Sequence, residues 1–183
     1  PDGISPVTHM SLVPTQLVRL LKHRDGRRVP ASFKCGLIGG AHAPRDLIRQ
    51  GLTAGWPLAL TYGMTEMTSQ VATARPSEVN HKPGSVGRAL TGTVIKVDNA
   101  GQILTQGRTL AQGYIGTTEP LADSEGWYHT GDLGYFDEDG DLWVTGRRSD
   151  RIVSGGITID AMHIEDVLCE HLEVQDACVV GIP

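Results

Sequence analysis

The sequence predicts an α/β segment built on a parallel sheet, then a small antiparallel β region, then the beginning of an α+β unit. Three observations carry that expectation. Apolar strand-sized runs alternate with amphipathic helical stretches up to about residue 81. From about Lys82 to Gly146, glycines recur every few residues between short alternating runs. After the basic stretch "GRRSD", a hairpin pattern precedes a single helix.

The elements follow in order. In "PTQLVRLLKHRD", Pro14 suits a first helical turn, Leu17, Val18, Leu20 and Leu21 share a face, and Gly26 ends the helix. "FKCGLIGG" is a short buried strand, "PRDLIRQGL" a helix started by Pro44, and "PLALTYG" a second strand. Strand, helix and strand at this spacing form a βαβ unit. Ligands in such sheets sit beyond the carboxyl ends of the strands, where Gly39, Gly40, Tyr62 and Gly63 fall. In "LALTYGMTEMTSQ" the apolar run stops, Gly63 frees the backbone, and Thr65 and Glu66 open a helix whose amides face a ligand. The runs "SVGRAL", "TVIKVD", "GQILTQ", "GWYHTGD" and "YFDEDGDLWVTG", with turns at "DNAG" and "DEDG", predict antiparallel hairpins in a small barrel or twisted sheet. Finally, "RIVSGGITI" is a glycine-broken hairpin and "DACVVGIP" a buried strand. Between them, "DAMHIEDVLCEHL" is a helix capped by Asp160 with Ala161, Ile164, Leu168 and Leu172 on one face. The chain divides at 1–81, 82–148 and 149–183.

Composition narrows the function classes. A chain of 183 residues, 39% hydrophobic and 20% charged, is an ordinary globular protein, and a formal charge of −5 argues against a nucleic-acid partner. Cys35, Cys169 and Cys178 are too scattered for a zinc site or a disulfide framework, so reduced, mostly buried thiols of a cytoplasmic protein are expected. No apolar run is long enough to span a bilayer, and "PDGISPVTHM" lacks the layout of a signal peptide. A start at proline is expected of a piece of a longer protein.

Several residues carry chemistry, each with a plainer alternative. Tyr62 beside Gly63 offers a ring to a flat heterocycle. Thr65 offers a hydroxyl to phosphate and Glu66 a hard oxygen to Mg²⁺; the pair equally suits a helix start, with the glutamate complementing the dipole. Asp132, behind Thr130 and Gly131, can take both hydroxyls of a ribose or serve as a turn aspartate satisfying nearby amides. Arg147 can grip ribose or phosphate, or simply lie on the surface of a linker.

In this order, "TYGMTE", "GSVGRAL", "GWYHTGD" and "GRRSDRIVSGG" resemble the core motifs of the adenylate-forming superfamily, which contains acyl-CoA synthetases, luciferases and peptide-synthetase adenylation domains. Within it, "VTHMSLVPTQLVRLL" and "RRSDRIVSGG" look most like the o-succinylbenzoate:CoA ligases of menaquinone biosynthesis. The resemblance implies that 1–81 is the α/β portion of an AMP-binding domain, 82–148 its distorted β-barrel subdomain, and 149–183 a hinge with an incomplete C-terminal domain.

The resemblance also implies roles. Gly39, Gly40 and Ala41 would lie along adenine, Tyr62 would stack on it, Thr65 would contact the α-phosphate and Glu66 would bind Mg²⁺. Asp132 would hold the ribose with help from Arg147, Ser149 and Asp150 would form the hinge, and Gly155 and Gly156 would line the approach of the coenzyme A thiol. His42, Met64 and Ser69 would face the acid. The implied reactants are ATP, a small carboxylate and coenzyme A, with no nucleic acid or membrane partner; a homo-oligomer of the full-length enzyme is compatible. The family's phosphate loop is expected before Pro1 and its C-terminal catalytic lysine after Pro183, so the 183-residue piece is expected to be inactive alone. Alternatives are another acyl- or aryl-CoA synthetase, a carrier-protein adenylation domain, or a non-catalytic nucleotide-binding relative.

Overall fold

A computed structural model describes residues 5–171, 173–174 and 177–182. The first unit contains β1 (His9–Leu12), α1 (Pro14–Arg24), β2 (Cys35–Ile38), α2 (Arg45–Thr53), β3 (Leu58–Gly63), β4 (Gln70–Ala74), α3 (Pro76–His81) and β5 (Arg88–Ala89). Its sheet runs β1-β2-β3-β4-β5, with β1, β2 and β3 parallel and β4 and β5 antiparallel to their neighbours. At the entry of α1, Val13 N–H donates to Gln16 Oε1 at 3.0 Å, and Asp25 (φ 45°) and Gly26 (φ 75°) close the helix in the left-handed region. Leu17, Ile38, Ile48, Leu58 and Val79 are fully buried between helices and sheet, and Phe33 meets Trp56 edge-on at 5.5 Å. A Cβ on Gly51 would come within 2.7 Å of Leu58, so α2 lies unusually close to β3.

The expected βαβ unit is present, and three elements extend it beyond the sequence reading: β1, β4 and α3. Thr65 and Glu66 do not open a long helix. Thr65–Met67 form one 3₁₀ turn, Thr68 ends it at φ 69°, and Met64 N–H donates to Ser69 O at 2.9 Å, sending the chain back as β4. Gly63 permits this reversal, because a Cβ there would lie 2.2 Å from the carbonyl oxygen of Ser69.

The second sheet is an antiparallel meander of β6 (Thr93–Val97), β7 (Gln102–Gly107), β8 (Tyr128–Phe136) and β9 (Leu142–Arg147), curved as a half-barrel. The "DNAG" and "DEDG" turns work as expected. Asp98 Oδ1 accepts from the amides of Ala100 and Gln102, and Asp137 Oδ1 from those of Asp139 and Asp141. "SVGRAL", expected in this barrel, instead supplies β5 to the first sheet and a seam to the second. Val86 N–H donates to Leu142 O at 2.9 Å and Leu142 N–H to Gly87 O at 2.7 Å. Gly87, at φ 71°, sits where a Cβ would meet the Ala74 backbone at 2.6 Å.

Lys82 clips the β8–β9 turn to the first unit by donating to Asp137, Asp139 and Asp141 at 2.7, 2.6 and 2.7 Å. Hydrogen bonding from Lys82, then from the Trp143 indole, holds the Asp137 carboxyl far below the usual carboxylate range. The three aspartates push Lys82 above the usual lysine range.

Beyond a 3₁₀ turn at Arg148–Asp150, β10 (Arg151–Ser154) and β11 (Ile157–Asp160) pair through a two-residue Gly155-Gly156 turn with φ values of 58° and 82°. The helix α4 (Ala161–Cys169) follows. Asp160 sits at its N-cap position without a side-chain cap; the carboxylate instead accepts from Arg151 Nε at 3.2 Å. Of the expected apolar face, Ala161 is buried, Ile164 half-buried and Leu168 exposed, and Leu172 lies outside the described residues. "DACVVGIP" was expected as a buried strand, but 177–182 pair with no strand among the described residues, and Val180 and Ile182 are 70% and 88% exposed. The three cysteines are in no disulfide, and they are not mostly buried as expected: Cys35 and Cys169 are half-buried and Cys178 is exposed.

Gly63→Ala is expected to destabilise the fold by about 2 kcal/mol or more, read from the urea midpoint, because the Cβ collides with backbone rather than with a side chain that can move. Lys82→Met should cost stability at pH 7, where three carboxylates lose their shared cation. The depressed Asp137 carboxyl contributes stability above the ordinary aspartate value of about 4 and loses it below. The difference between wild type and variant should therefore shrink as pH falls through that range; an unchanged difference at low pH would exclude the clip as its source.

Candidate functional site

The seam brings the carboxyl end of β3 against the middle of β8 and the end of β9, opening a cleft of about 480 Å³ lined by Gly40, Ala41, His42, Tyr62, Asp132 and Arg147, among others. Asp132 is its polar centre. A register shift between Leu133 and Gly134 re-aims β8, Gly131 at φ 75° precedes the aspartate, and Thr130 Oγ1 accepts from its amide at 3.0 Å. The carboxylate is 7% exposed as a residue. Tyr62 OH donates to Oδ2 at 2.7 Å, and Arg147, its cross-strand partner on β9, places Nε 3.0 Å from Oδ1. Burial first, then the Asp132 charge, raises the Tyr62 phenol well above its ordinary range, so it remains a neutral donor. Arg147 is two-thirds exposed along its side chain and faces the cleft.

Thr65 and Glu66 stand on the 3₁₀ turn that follows β3. Glu66 accepts a hydrogen bond from Tyr114 OH, interacts with Tyr128, and feels the charge of Arg147. The Tyr114 hydrogen bond is the main reason its carboxyl is held below the usual glutamate range. Burial and the same cluster push Tyr128 up. Tyr114 is a site residue that the sequence reading missed; its only local signal is an aromatic within the small-residue stretch "AQGYIGTT".

The remaining expected site residues separate spatially. Gly39 lies behind the cleft, where a Cβ would meet Thr61 Cγ2 at 2.6 Å. His42 lines the cleft but pairs with α4, its Nε2 2.8 Å from Asp166 Oδ1. Met64 and Ser69 close the turn after β3 through a backbone bond rather than joining the described cleft wall. Ser149 and Asp150 border a second cavity of about 610 Å³ that Arg147 also borders. Gly155 and Gly156 sit at the hairpin tip, outside both cavities. The arrangement offers one nearly buried carboxylate, one guanidinium, one aromatic face and a second carboxylate on an exposed turn, a set suited to a sugar, a phosphate and a flat ring together.

A profile described as AMP-binding enzyme matches residues 5–115. A 2-succinylbenzoate–CoA ligase of Geobacillus sp. (strain WCH70) is 39% identical over 187 residues, covering 96% of this chain and 38% of the relative. The o-succinylbenzoate CoA synthetase of Bacillus subtilis, in complex with the acyl-adenylate intermediate OSB-AMP, superposes with a TM-score of 0.87 at 37% identity, over 97% of this chain and 38% of that one. The same enzyme in complex with ATP and magnesium ion gives a TM-score of 0.85 at 37% identity, over 96% and 39%. The chain thus spans about 38% of the length of the curated relatives it matches.

Asp132→Ala is expected to destabilise the chain by about 1 to 3 kcal/mol, since the Tyr62 hydroxyl loses its acceptor and Arg147 its partner. Asp132→Asn, which keeps an acceptor oxygen, should cost less. Equal losses in chemical denaturation would show that hydrogen bonding to Asp132 is not what stabilises the junction.

Proposed function

The chain belongs to the AMP-binding enzyme family, and on that premise we propose that it carries the nucleotide-gripping part of an ATP-dependent acid–thiol ligase, with o-succinylbenzoate as the acid and coenzyme A as the thiol. The observation that carries this reading is the Asp132 carboxylate held in the cleft between Tyr62 and Arg147. A carboxylate offers about four lone-pair directions. With two donors already seated, Asp132 keeps acceptor capacity for the hydroxyls of a ribose. The substrate assignment is supported by the curated relatives, named as 2-succinylbenzoate–CoA ligases at about 39% identity, and would place the protein in menaquinone biosynthesis in the cytoplasm. Among the described residues, no helix is long and apolar enough to cross a membrane.

In this reading Tyr62 presents its ring to adenine, with Gly39, Gly40 and Ala41 along the heterocycle, and its hydroxyl bond to Asp132 fixes the ring. Arg147 assists at the ribose and Thr65 donates to the α-phosphate. The donors fit a Mg²⁺ ion: Glu66 is held ionised by its hydrogen bonds, and one carboxylate suits a cation that takes its remaining ligands from water and phosphate. Bound there, Mg²⁺ would neutralise phosphate charge. The acid's carboxylate oxygen attacks the α-phosphorus and pyrophosphate leaves; the thiol sulfur then attacks the acyl carbon and AMP leaves. The chain's own residues contribute positioning and donors, with no covalent intermediate on the protein. Ser149 and Asp150 serve as hinge, Gly155 and Gly156 as thiol approach, and His42, Met64 and Ser69 as part of the acid wall.

The test is a mass-spectrometric search for acyl-CoA product from the full-length protein, given MgATP, coenzyme A and a panel of acids. Product from o-succinylbenzoate alone is expected. Product from a different acid would overturn the substrate assignment while keeping the reaction class, and adenylate formation without transfer to coenzyme A would redirect the search to another acceptor.

A further inference from the structure

Outside the Asp132 cleft, the most specific convergence of side chains is on Glu66. The segment that follows β7 crosses the 3₁₀ turn and is fastened to it three times. Ala111 N–H donates to Glu66 O at 2.8 Å, Thr68 Oγ1 donates to Thr109 O at 2.7 Å, and Tyr114 OH donates to Glu66 Oε1. The first two bonds hold the segment in place without Tyr114. Tyr114 itself is 54% exposed, so its ring contributes little to the core. A half-exposed phenol that reaches back 48 residues to the Glu66 carboxylate, and also meets the Tyr128 hydroxyl, gives up side-chain freedom for polar contacts at that one place. The product of that contact is orientation: Glu66 loses its free rotation, and one oxygen is taken by a neutral donor.

We propose that Tyr114 is a positioning residue that sets the Glu66 carboxylate to receive a divalent cation through its remaining lone pairs. The inference rests on the assignment of Glu66 as the cation ligand in the proposed function. A neutral hydroxyl is suited to the task because it fixes the carboxylate without cancelling its charge, as a lysine or arginine would. It also occupies one lone pair of Oε1 and leaves both of Oε2, which biases the carboxylate toward coordination through Oε2 and suits a small cation that keeps water and phosphate ligands.

The test is ATP binding to the full-length protein by calorimetry, with and without Mg²⁺, in wild type, Tyr114→Phe, Glu66→Gln and Thr68→Val. The readout is the factor by which Mg²⁺ tightens ATP. Tyr114→Phe should reduce that factor about three- to tenfold, the size of one ordinary hydrogen bond, and leave the metal-free affinity within about twofold. Thr68→Val, which removes a tether of the segment but not the hydroxyl, should leave the factor unchanged. An unchanged or larger factor in Tyr114→Phe, with Glu66→Gln still abolishing it, overturns this inference alone. An equal loss in Thr68→Val also overturns it, because order of the segment rather than the hydroxyl would then be responsible. If Glu66→Gln leaves the factor intact, the cation assignment itself falls.

Discussion

Two backbone hydrogen bonds between Val86-Gly87 and Leu142 join the sheets, and the site exists only because they do. They require a residue without a side chain at 87, since any Cβ would strike the Ala74 backbone. Once Gly87 lets β5 and β9 meet, Tyr62 at the end of one sheet and Asp132 in the other come within hydrogen-bond distance, 70 residues apart in sequence. Ser85 completes the seam from a fully buried position, its hydroxyl donating to Leu142 O and accepting from Gly87 N–H.

The polar contacts around this seam differ in kind. Asp132 is nearly buried and receives two donors, so losing either partner leaves a desolvated group uncompensated. The Lys82 clip is wetter, and its value lies in gathering three carboxylates of one turn around a single ammonium. Both fix the β8–β9 hairpin, one at each end. Arg147 and Trp143 therefore leave that hairpin in defined directions.

The C-terminal segment is attached more lightly. Its 3₁₀ turn at Arg148–Asp150 buries no residue. The helix α4 reaches the first unit through His42 and Arg45, which approach Asp166 at 2.8 and 4.0 Å, while Arg45 also lies 5.2 Å over the Trp143 ring. Two polar contacts on a single partly exposed carboxylate, one of them at 4.0 Å, are a slight attachment. The segment thus meets the first unit through polar contacts at the rim of the Asp132 cleft, with Ala161 as its buried residue at the start of α4.

The elements legible from sequence are those whose cause is local. Pro14 and the leucines of α1, the apolar runs of β2 and β3, Asp98 and Asp137 in their turns, and the paired glycines of the β10–β11 hairpin each act within a few residues. The order of "TYGMTE", "GWYHTGD" and "GRRSD" identified Tyr62, Glu66, Asp132 and Arg147 as candidates before any geometry was available. What periodicity cannot carry is which backbone groups find partners far along the chain. That choice turned "SVGRAL" into an edge of the first sheet, stopped the expected helix at Thr65 and Glu66 after one 3₁₀ turn so that β4 follows, and left Val180 and Ile182 exposed despite their apolar pattern. It also took the Asp160 carboxylate to Arg151 and brought Tyr114 to Glu66. Sequence alone determined the local elements and the chemical types in the site; tertiary structure decided their pairing, because hydrogen bonds across 48 or 70 residues depend on the path of the whole intervening chain.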